Sequence, residues 1–363
     1  MKGRELHYGG LAERDLSAYG GHKVRALARL AAAMGDTPID IIHVGGEILT
    51  CSAWEAAVML LPASEAPAVV ARLDARPAER AAWAREQLGL RDLAPYLLPD
   101  GLFANVASAR YHAVGGIDLD QREPAMRAEV LAKLKAATCV GVRDQQTRAV
   151  LEAAGVRCHL EPDPAVMVAQ MFAPRIRRHA LHGEPAGVIS AFPHGYLAVQ
   201  CSADFGDDAT LAELSRQIEQ LAAPPDLGIV LFRAGAAPWH DDLEFYERLA
   251  SRISRVQVAV FRSLDLWDIC ALLAHSRGFA GSSLHGSIVA GAFALPYVGL
   301  LRPGQLPAAS KQAAFGATWG TAGAPAAVPV AALASGMAEA MATEPAQREA
   351  LARRLLEACH VPP

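Results

Sequence analysis

The sequence predicts an α/β protein with two Rossmann-like doubly wound domains and a cleft between them. The chain has 363 residues, more than one hydrophobic core usually serves. Short apolar segments alternate with helix-length amphipathic segments along most of it. The apolar segments show little polar alternation, which is typical of parallel strands covered on both faces.

Composition narrows the class of protein. Hydrophobic residues make up 52%, charged residues 20%, and the formal net charge is −4, so a nucleic-acid partner is not expected. We expect no transmembrane segment and no signal peptide, because no long uncharged apolar stretch occurs. The six cysteines are dispersed without a CxxC pair. We therefore expect reduced thiols, a cytoplasmic protein and no zinc site.

The N-terminal domain is predicted over residues 1–172. Its expected strands are the apolar segments 39–44, 108–114 and 139–142. The amphipathic pattern of 124–137 predicts a helix. Asp144 has the position of an N-cap, and Gly155 that of the residue that ends the following helix.

A linker and a C-terminal domain follow in the prediction. The basic, proline-bounded stretch 173–185 has no clear period and predicts the linker. The C-terminal domain is predicted over 186–345, and a last helix over 346–363. The expected elements alternate between strands and helices: 196–202, 209–222, 227–232, 242–253, 256–261, 265–275, 278–282 and 297–300.

The stretch "GSSLHG" (281–286) joins a strand to an apolar helix expected to begin near 286 or 287. Backbone N–H groups at that helix end suit a phosphate or carboxylate. Gly286 would allow a ligand close to the backbone, and His285 would deliver a proton beside it. The alternative is that Ser282 or Ser283 caps the helix and that His285 is a half-buried residue with its polar groups satisfied.

Four blocks together resemble the polysaccharide pyruvyl transferase family. They are "DIIHVGGEILT" (40–50), "CVGVRDQQTRAVLEAAGVRCHLEPDPA" (139–165), "DLGIVLFRAGAAPWHDDLEFYERL" (226–249) and the "SSLHG" stretch with its helix and "LPYVG". The resemblance implies two domains of the GT-B type. It also implies transfer of a pyruvyl group from phosphoenolpyruvate to hydroxyls of a sugar-containing acceptor, giving a ketal and phosphate, with no cofactor beyond that co-substrate.

The resemblance assigns roles to individual residues. His285 is the catalytic candidate. The candidates for donor binding lie at strand ends and at the helix start: Ser282, Ser283, Leu284, Gly286, Arg233 and Arg143. Many family members have arginine where Ser283 stands, so Arg233 is the expected replacement. Arg143 has the alternative of an ion pair with Asp144 or with a neighbouring helix.

The acceptor side is assigned to the N-terminal domain, and its candidates are Gly45, Gly46, Glu47, Arg110 and His112. The alternatives are a tight turn for the glycines with an exposed carboxylate on Glu47, and buried pairing for Arg110 and His112. Nothing before "DIIHVGG" matches the first strand and loop of the family, so we expect either that the true N-terminus is longer or that this domain is reduced. Two other functions stay open: a GT-B glycosyltransferase that uses a nucleotide sugar, and a catalytically silent binding protein.

Overall fold

The computed structural model describes residues 5–222, 227–235, 242–321 and 326–359. The chain forms two compact units: unit 1 runs to Asp163, and unit 2 is Pro164–Cys359. Both units combine helices with parallel sheets, which confirms the α/β class. No helix in the described ranges has the length and apolar character needed to cross a membrane.

Unit 1 begins with a small sheet in the order β1-β3-β2, followed by a larger parallel sheet. The elements of the first part are β1 Gly9–Gly10, β2 Arg14–Asp15, β3 Lys23–Ala26 and α1 Leu27–Met34. The second part contains β4 Ile39–Val44, α2 Ala53–Met59, α3 Ala66–Leu73, α4 Pro77–Leu88, β5 Val106–Val114, α5 Pro124–Ala136, β6 Cys139–Val142, α6 Gln145–Ala153 and β7 His159–Leu160. The predicted strands and the predicted helix of this domain are confirmed.

One face of the larger sheet carries the apolar core of unit 1. Tyr111, Val140 and Val142 pack there with Val130 and Leu134 of α5. The strands follow chain order, β4-β5-β6-β7, and all pair in parallel. The order of this sheet therefore differs from that of a complete doubly wound sheet, which reverses its order at a switch point.

Unit 2 is built on a parallel sheet of six strands. Its elements are α7 Val168–His179, α8 Gly183–Ala191, β8 Tyr196–Gln200, α9 Asp208–Ala222, β9 Gly228–Phe232, α10 Leu243–Arg252, β10 Val258–Phe261, α11 Leu266–Ala274, β11 Gly278–Gly281, α12 Leu284–Ala292, β12 Tyr297–Leu300, α13 Lys311–Trp319, β13 Ala327–Val328, α14 Leu333–Ala342 and α15 Pro345–Ala358. The order β10-β9-β8-β11-β12-β13 is the doubly wound order predicted from the sequence.

Alternating strand residues of unit 2 enter two separate cores. Leu197, Val199 and Leu231 join one apolar cluster, whereas Ala198 and Val230 join the other. Both faces of the sheet are therefore buried, which explains why these strands read as continuous apolar segments.

The predicted linker at 173–185 is wrong. That stretch continues α7 to His179 and contains the first turn of α8. Pro174 lies inside α7, where proline removes a backbone donor, but the helix is held because Ile176 is 1% exposed in a core of unit 2. The boundary between the units falls at Asp163–Pro164 instead.

The predicted C-terminal helix corresponds to α15, and residues 360–363 lie outside the described residues. Leu355 of α15 packs in an apolar cluster with Leu284 and Ile288 of α12. This helix is therefore part of unit 2 rather than a separate appendage.

Candidate functional site

The strand order of unit 2 reverses between β8 and β11, which are neighbours in the sheet. Beyond their carboxyl ends, at Gln200 and Gly281, lies the position where doubly wound sheets bind ligands. Several polar side chains cluster here although they are nearly inaccessible to solvent: Gln200, Ser202, Ser287, Ser310 and Gln312. We take this edge of unit 2 as the candidate site.

The two serines of "SSLHG" connect the elements at this edge. Ser283 is the N-cap of α12, and its hydroxyl accepts a hydrogen bond from the N–H of Gly286 at 3.1 Å. The Ser282 hydroxyl accepts from the N–H of Ser202 at 2.9 Å and donates to Oε1 of Gln200 at 3.4 Å. The capping alternative is therefore confirmed for Ser283, and α12 begins at Leu284, earlier than expected.

Gln312 is a site residue that the sequence did not reveal. Its side-chain amide donates to the carbonyl of Ser282, and its Oε1 accepts from the hydroxyl of Ser310 at 2.9 Å. Gln312 lies 30 positions from Ser282 along the chain, so no local pattern connects the two. The sequence does contain a signal for Gln200 and Ser202, because they are polar residues at the end of an apolar segment.

Packing explains Leu284 and Gly286 without the donor contacts that were expected of them. Leu284 is 3% exposed and packs with Val166 and Phe315. A Cβ on Gly286 would lie 2.4 Å from the ring of Phe279. The glycine is therefore needed for packing inside unit 2, so the expectation that it admits a ligand is not required to explain it.

His285 lies in the first turn of α12 and is exposed. A residue of the apolar layer would be buried, as its neighbours Leu284 and Gly286 are. The expectation of a half-buried histidine is thus wrong, and the imidazole is accessible at the positive end of a helix.

Arg233 follows β9, the strand next to β8 on the other side from β11. Strand spacing places β9 about 10 Å from β11 across the sheet, within the combined reach of a long side chain and a small ligand. Nη2 of Arg233 donates to the carbonyl of Arg262 at 3.4 Å. Its Nε is buried and has no hydrogen-bond partner among the described residues.

Arg143 lies in unit 1 and is not available to a donor there. Its side chain is 3% exposed; Nη2 contacts Oε2 of Glu47, and Nη1 lies 3.4 Å from Oδ2 of Asp163. The ion-pair alternative is confirmed, although the partners differ from those expected. Asp144 instead caps α6 by accepting from the N–H of Thr147 at 2.7 Å.

The acceptor candidates near β4 form part of the same buried cluster. Gly45 and Gly46 have φ of +56° and +77°, the left-handed values that a tight turn requires. Glu47 also accepts from the N–H of Ile117 at 2.9 Å. The turn explains the glycines, and the pairing with Arg143 corrects the expectation of an exposed Glu47 carboxylate.

His112 and Arg110 lie on β5 with their side chains toward the same face of the sheet. His112 is 9% exposed, and its Nδ1 lies 2.8 Å from Oε1 of Glu161. Arg110 is half-buried in the middle of the strand. The structure therefore supports buried pairing for His112, and it places Arg110 away from the carboxyl edge.

One group of three metal-ligating side chains occurs in the described ranges: His179, Asp265 and Asp268. Asp265 caps α11 by accepting from the N–H of Trp267 at 2.7 Å. Asp268 accepts from the Ser263 hydroxyl at 2.6 Å and contacts Nδ1 of His179 at 2.6 Å. These hydrogen bonds explain the cluster, and no other feature here indicates a metal.

One family model matches a segment of the chain that includes parts of both units. The model described as polysaccharide pyruvyl transferase matches residues 115–302, just over half of the 363-residue chain. The chain belongs to this family. The matched segment contains the Arg143–Asp163 pair of unit 1 and the whole "SSLHG" stretch of unit 2. No curated protein matches the chain significantly.

Solved structures give distant matches. A UDP-N-acetylglucosamine 2-epimerase from Rickettsia bellii is 14% identical with a TM-score of 0.38, covering 53% of this chain and 49% of that chain. An α,α-trehalose-phosphate synthase (UDP-forming) from Burkholderia vietnamiensis is 14% identical with a TM-score of 0.42, covering 84% and 75%. The chain thus spans about half of the length of that epimerase.

The blocks that resemble the pyruvyl transferase family now have physical explanations in this chain. Arg143 and Asp163 of the V-R-D and D-P-A segments pair with each other, and Asp144 caps the helix between them. Ser283, Leu284 and Gly286 respectively cap, anchor and seat α12. His285 is the residue of that stretch whose side chain is left facing solvent by this packing.

Proposed function

We propose that this chain transfers a pyruvyl group from phosphoenolpyruvate to a sugar-containing acceptor, with the donor bound at the carboxyl edge of the unit 2 sheet. One observation carries the proposal. At the switch point of this sheet, the N-terminus of α12 and the Nε of Arg233 lie at the ends of strands β11 and β9, and this Nε is buried without a hydrogen-bond partner in the described part of the chain. Membership of the pyruvyl transferase family supports the reaction type.

Phosphoenolpyruvate matches the chemistry of this edge. It carries a phosphate and a carboxylate, and anions of both kinds bind helix N-termini and arginine side chains. The Ser283 hydroxyl already satisfies one N–H of the first turn. In this proposal the remaining positive end of α12 binds one anionic group, and Arg233 binds the other.

Two proton transfers are needed in the proposed reaction. When one acceptor hydroxyl oxygen bonds to the central carbon of the enol, its proton is lost and the methylene carbon gains one to become a methyl group. A second hydroxyl oxygen then bonds to the same carbon and its proton passes to the departing phosphate as the carbon–oxygen bond to phosphate breaks, so that the ketal and phosphate result. We assign a proton transfer to His285, because its imidazole is exposed beside the donor position.

The proposal includes three further points. Phosphoenolpyruvate is a co-substrate, and the reaction requires no other cofactor. The acceptor is a sugar-containing molecule, as the family implies. Of the charged acceptor candidates, Glu47 pairs with Arg143 and His112 pairs with Glu161. Arg110 belongs to neither pair and is therefore the charged residue that we assign to acceptor binding. We place the reaction in the cytoplasm, which agrees with six dispersed cysteines that are all free thiols.

The donor assignment is tested by ligand-dependent thermal stability. Millimolar phosphoenolpyruvate should raise the unfolding midpoint, because a ligand that binds the folded state stabilises it by mass action. Arg233→Ala should remove most of this shift. Arg216→Ala is the matched control, since Arg216 is exposed and pairs with Glu213 on α9, and its shift should equal that of the native chain.

Phosphate release with a panel of sugar acceptors tests the reaction itself. A chain that is stabilised by phosphoenolpyruvate and releases phosphate only with an acceptor behaves as proposed. Stabilisation by a nucleotide sugar but not by phosphoenolpyruvate would instead identify a glycosyltransferase. Stabilisation without turnover on any acceptor would support a binding protein.

A further inference from the structure

A second group of reactive side chains lies on one face of the unit 1 sheet. In the register of the strands, Arg110 pairs with Cys139 and Gly141 pairs with His159. Paired residues of parallel strands point to the same face, and residues two positions apart along a strand share it. Arg110, Cys139 and His159 therefore lie on the face opposite to the apolar core of Tyr111 and Val140.

Cys139 differs from the other cysteines of the chain. It is the exposed one of six. Burial raises the pKa of Cys51, Cys201 and Cys270 to about 12, so those thiols are poorly reactive at neutral pH. Accessibility therefore singles out Cys139 as the candidate nucleophile.

The Cys139 thiol contacts an imidazole that is itself held in place. Sγ lies 3.9 Å from Nδ1 of His159, and Nε2 of His159 lies 3.5 Å from Oε2 of Glu161. The side chain of His159 is 51% exposed and that of Glu161 is 4% exposed. The order is thus an exposed thiol, an accessible imidazole and a buried carboxylate, which is an arrangement that activates thiols.

Glu161 is fixed by contacts that are independent of Cys139. Its Oε1 accepts from the N–H of Ala113 at 2.8 Å and lies 2.8 Å from Nδ1 of His112. A Cβ on Gly141 would lie 1.6 Å from the same oxygen, so the carboxylate occupies the space that the glycine leaves. His159 therefore meets a partner whose position does not depend on the thiol.

We propose that Cys139 is a site of thiol–disulfide exchange with low-molecular-weight disulfides, and that His159 is its proton acceptor. The Cys139 sulfur attacks one sulfur of the disulfide while its proton passes to Nδ1 of His159. A new S–S bond forms between Cys139 and that sulfur, the original S–S bond breaks, and the departing thiolate takes the proton from the imidazolium. One disulfide is consumed and one is formed, so no other oxidant is needed.

Dithiobis-nitrobenzoate tests the site, since it is a disulfide whose departing thiolate is coloured. The native chain should show one fast-reacting thiol, which mass spectrometry should locate at Cys139. Cys139→Ser should abolish the fast phase. His159→Gln should slow it by roughly tenfold or more, whereas the control His194→Gln, at an exposed histidine before β8, should leave it unchanged.

The pH profile separates proton transfer from a loss of structure. Without His159, the rate should depend more steeply on pH, because the thiol then has no neighbouring imidazole to accept its proton. The native rate should vary less steeply over the same range. Equal rates and profiles for the native chain and His159→Gln, or a fast phase that survives in Cys139→Ser, would overturn the proposal. Because the assay uses neither phosphoenolpyruvate nor an acceptor, its result is independent of the proposed transferase activity.

Discussion

An arginine follows a parallel strand at the carboxyl edge of each sheet, but the two arginines have different surroundings. In unit 1, Arg143 follows β6 and is buried between Glu47 and Asp163. In unit 2, Arg233 follows β9 and meets a single carbonyl at 3.4 Å, with its Nε unpartnered in the described part of the chain. The two residues occupy equivalent positions at the end of a parallel strand, but among the described residues carboxylates balance the charge of Arg143 and not that of Arg233.

The contrast separates a structural edge from a binding edge. A buried charge is tolerated when it is paired and hydrogen-bonded, and the cluster around Arg143 meets that condition within unit 1. The edge of unit 2 is built mainly from neutral side chains such as Gln200, Ser202 and Gln312. Its Asp204 carboxylate accepts from the Ser202 hydroxyl at 3.2 Å and pairs with Arg302 at 3.6 Å, and no carboxylate of the described residues pairs with Arg233. Such an edge attracts an anion.

The largest effect should follow removal of the His285 imidazole. His285→Ala should lower turnover by roughly 10²–10⁴-fold if the residue transfers a proton, and stability should change little because the side chain is exposed. Phosphate release and the unfolding midpoint, measured on the same preparation, check both parts. The control His194→Ala should keep full activity. A destabilised but fully active His285→Ala protein would contradict the catalytic assignment.

Arg143→Met, unlike His285→Ala, should lower the stability of the chain. Loss of the guanidinium leaves the Asp163 carboxylate, 4% exposed, and the Glu47 carboxylate without their cation, which should lower the free energy of unfolding by about 3–5 kcal/mol. Denaturant titration measures this loss. Arg233→Met is the matched comparison at the other edge and should change stability by only about 0.5 kcal/mol. Comparable losses in the two variants would remove the distinction between the edges.

The sequence predicted the units of local structure better than their arrangement. Continuous apolar segments located β6 and β9, because burial on both faces leaves a local signature. Strand order in unit 1 has no such signature, since pairing joins segments as distant as Ile39 and Val106. The helical stretch around Pro174 was missed because tertiary burial of Ile176 outweighs a local helix breaker.

In the candidate site too, local contacts were predictable from the sequence and long-range contacts were not. Capping by Ser283 and Asp144 was predictable, because a cap acts within three residues of its own position. The partners of Arg143 were not, since Glu47 lies 96 positions away. Long-range ion pairs and the contact of Gln312 with Ser282 depend on the sheet order, which the sequence did not specify for unit 1.

Acidification should weaken unit 1 through His43. Burial lowers the pKa of this imidazole, which stacks on Tyr111 with ring centroids 4.4 Å apart, to about 4. An unfolded histidine titrates near pH ~6.5, so between the two values the unfolded state binds more protons and folding weakens as the pH falls. The contribution of His43 should decline by about 2 kcal/mol from pH 7 to pH 5.

The measurement is the difference between native and His43→Phe chains. Phenylalanine keeps an aromatic ring beside Tyr111 but has no titrating group, so its free energy of unfolding should fall less over this pH range. Denaturant titrations at both pH values give the two slopes. Identical slopes would show that His43 is not kept neutral by burial.

The smallest effect should come from Ser283, where the structural and binding roles meet at one residue. Ser283→Ala removes the oxygen that accepts from the N–H of Gly286 and should cost about 1 kcal/mol of stability. Ser283→Asn keeps a capping oxygen and should be nearly neutral. Ser283→Arg should lose the cap like alanine, but its added cation should retain or increase the stabilisation by phosphoenolpyruvate. Thermal midpoints of the three variants with and without the ligand separate these roles: if arginine weakened the ligand response while asparagine preserved it, the edge of unit 2 would depend on the cap geometry of α12 rather than on positive charge.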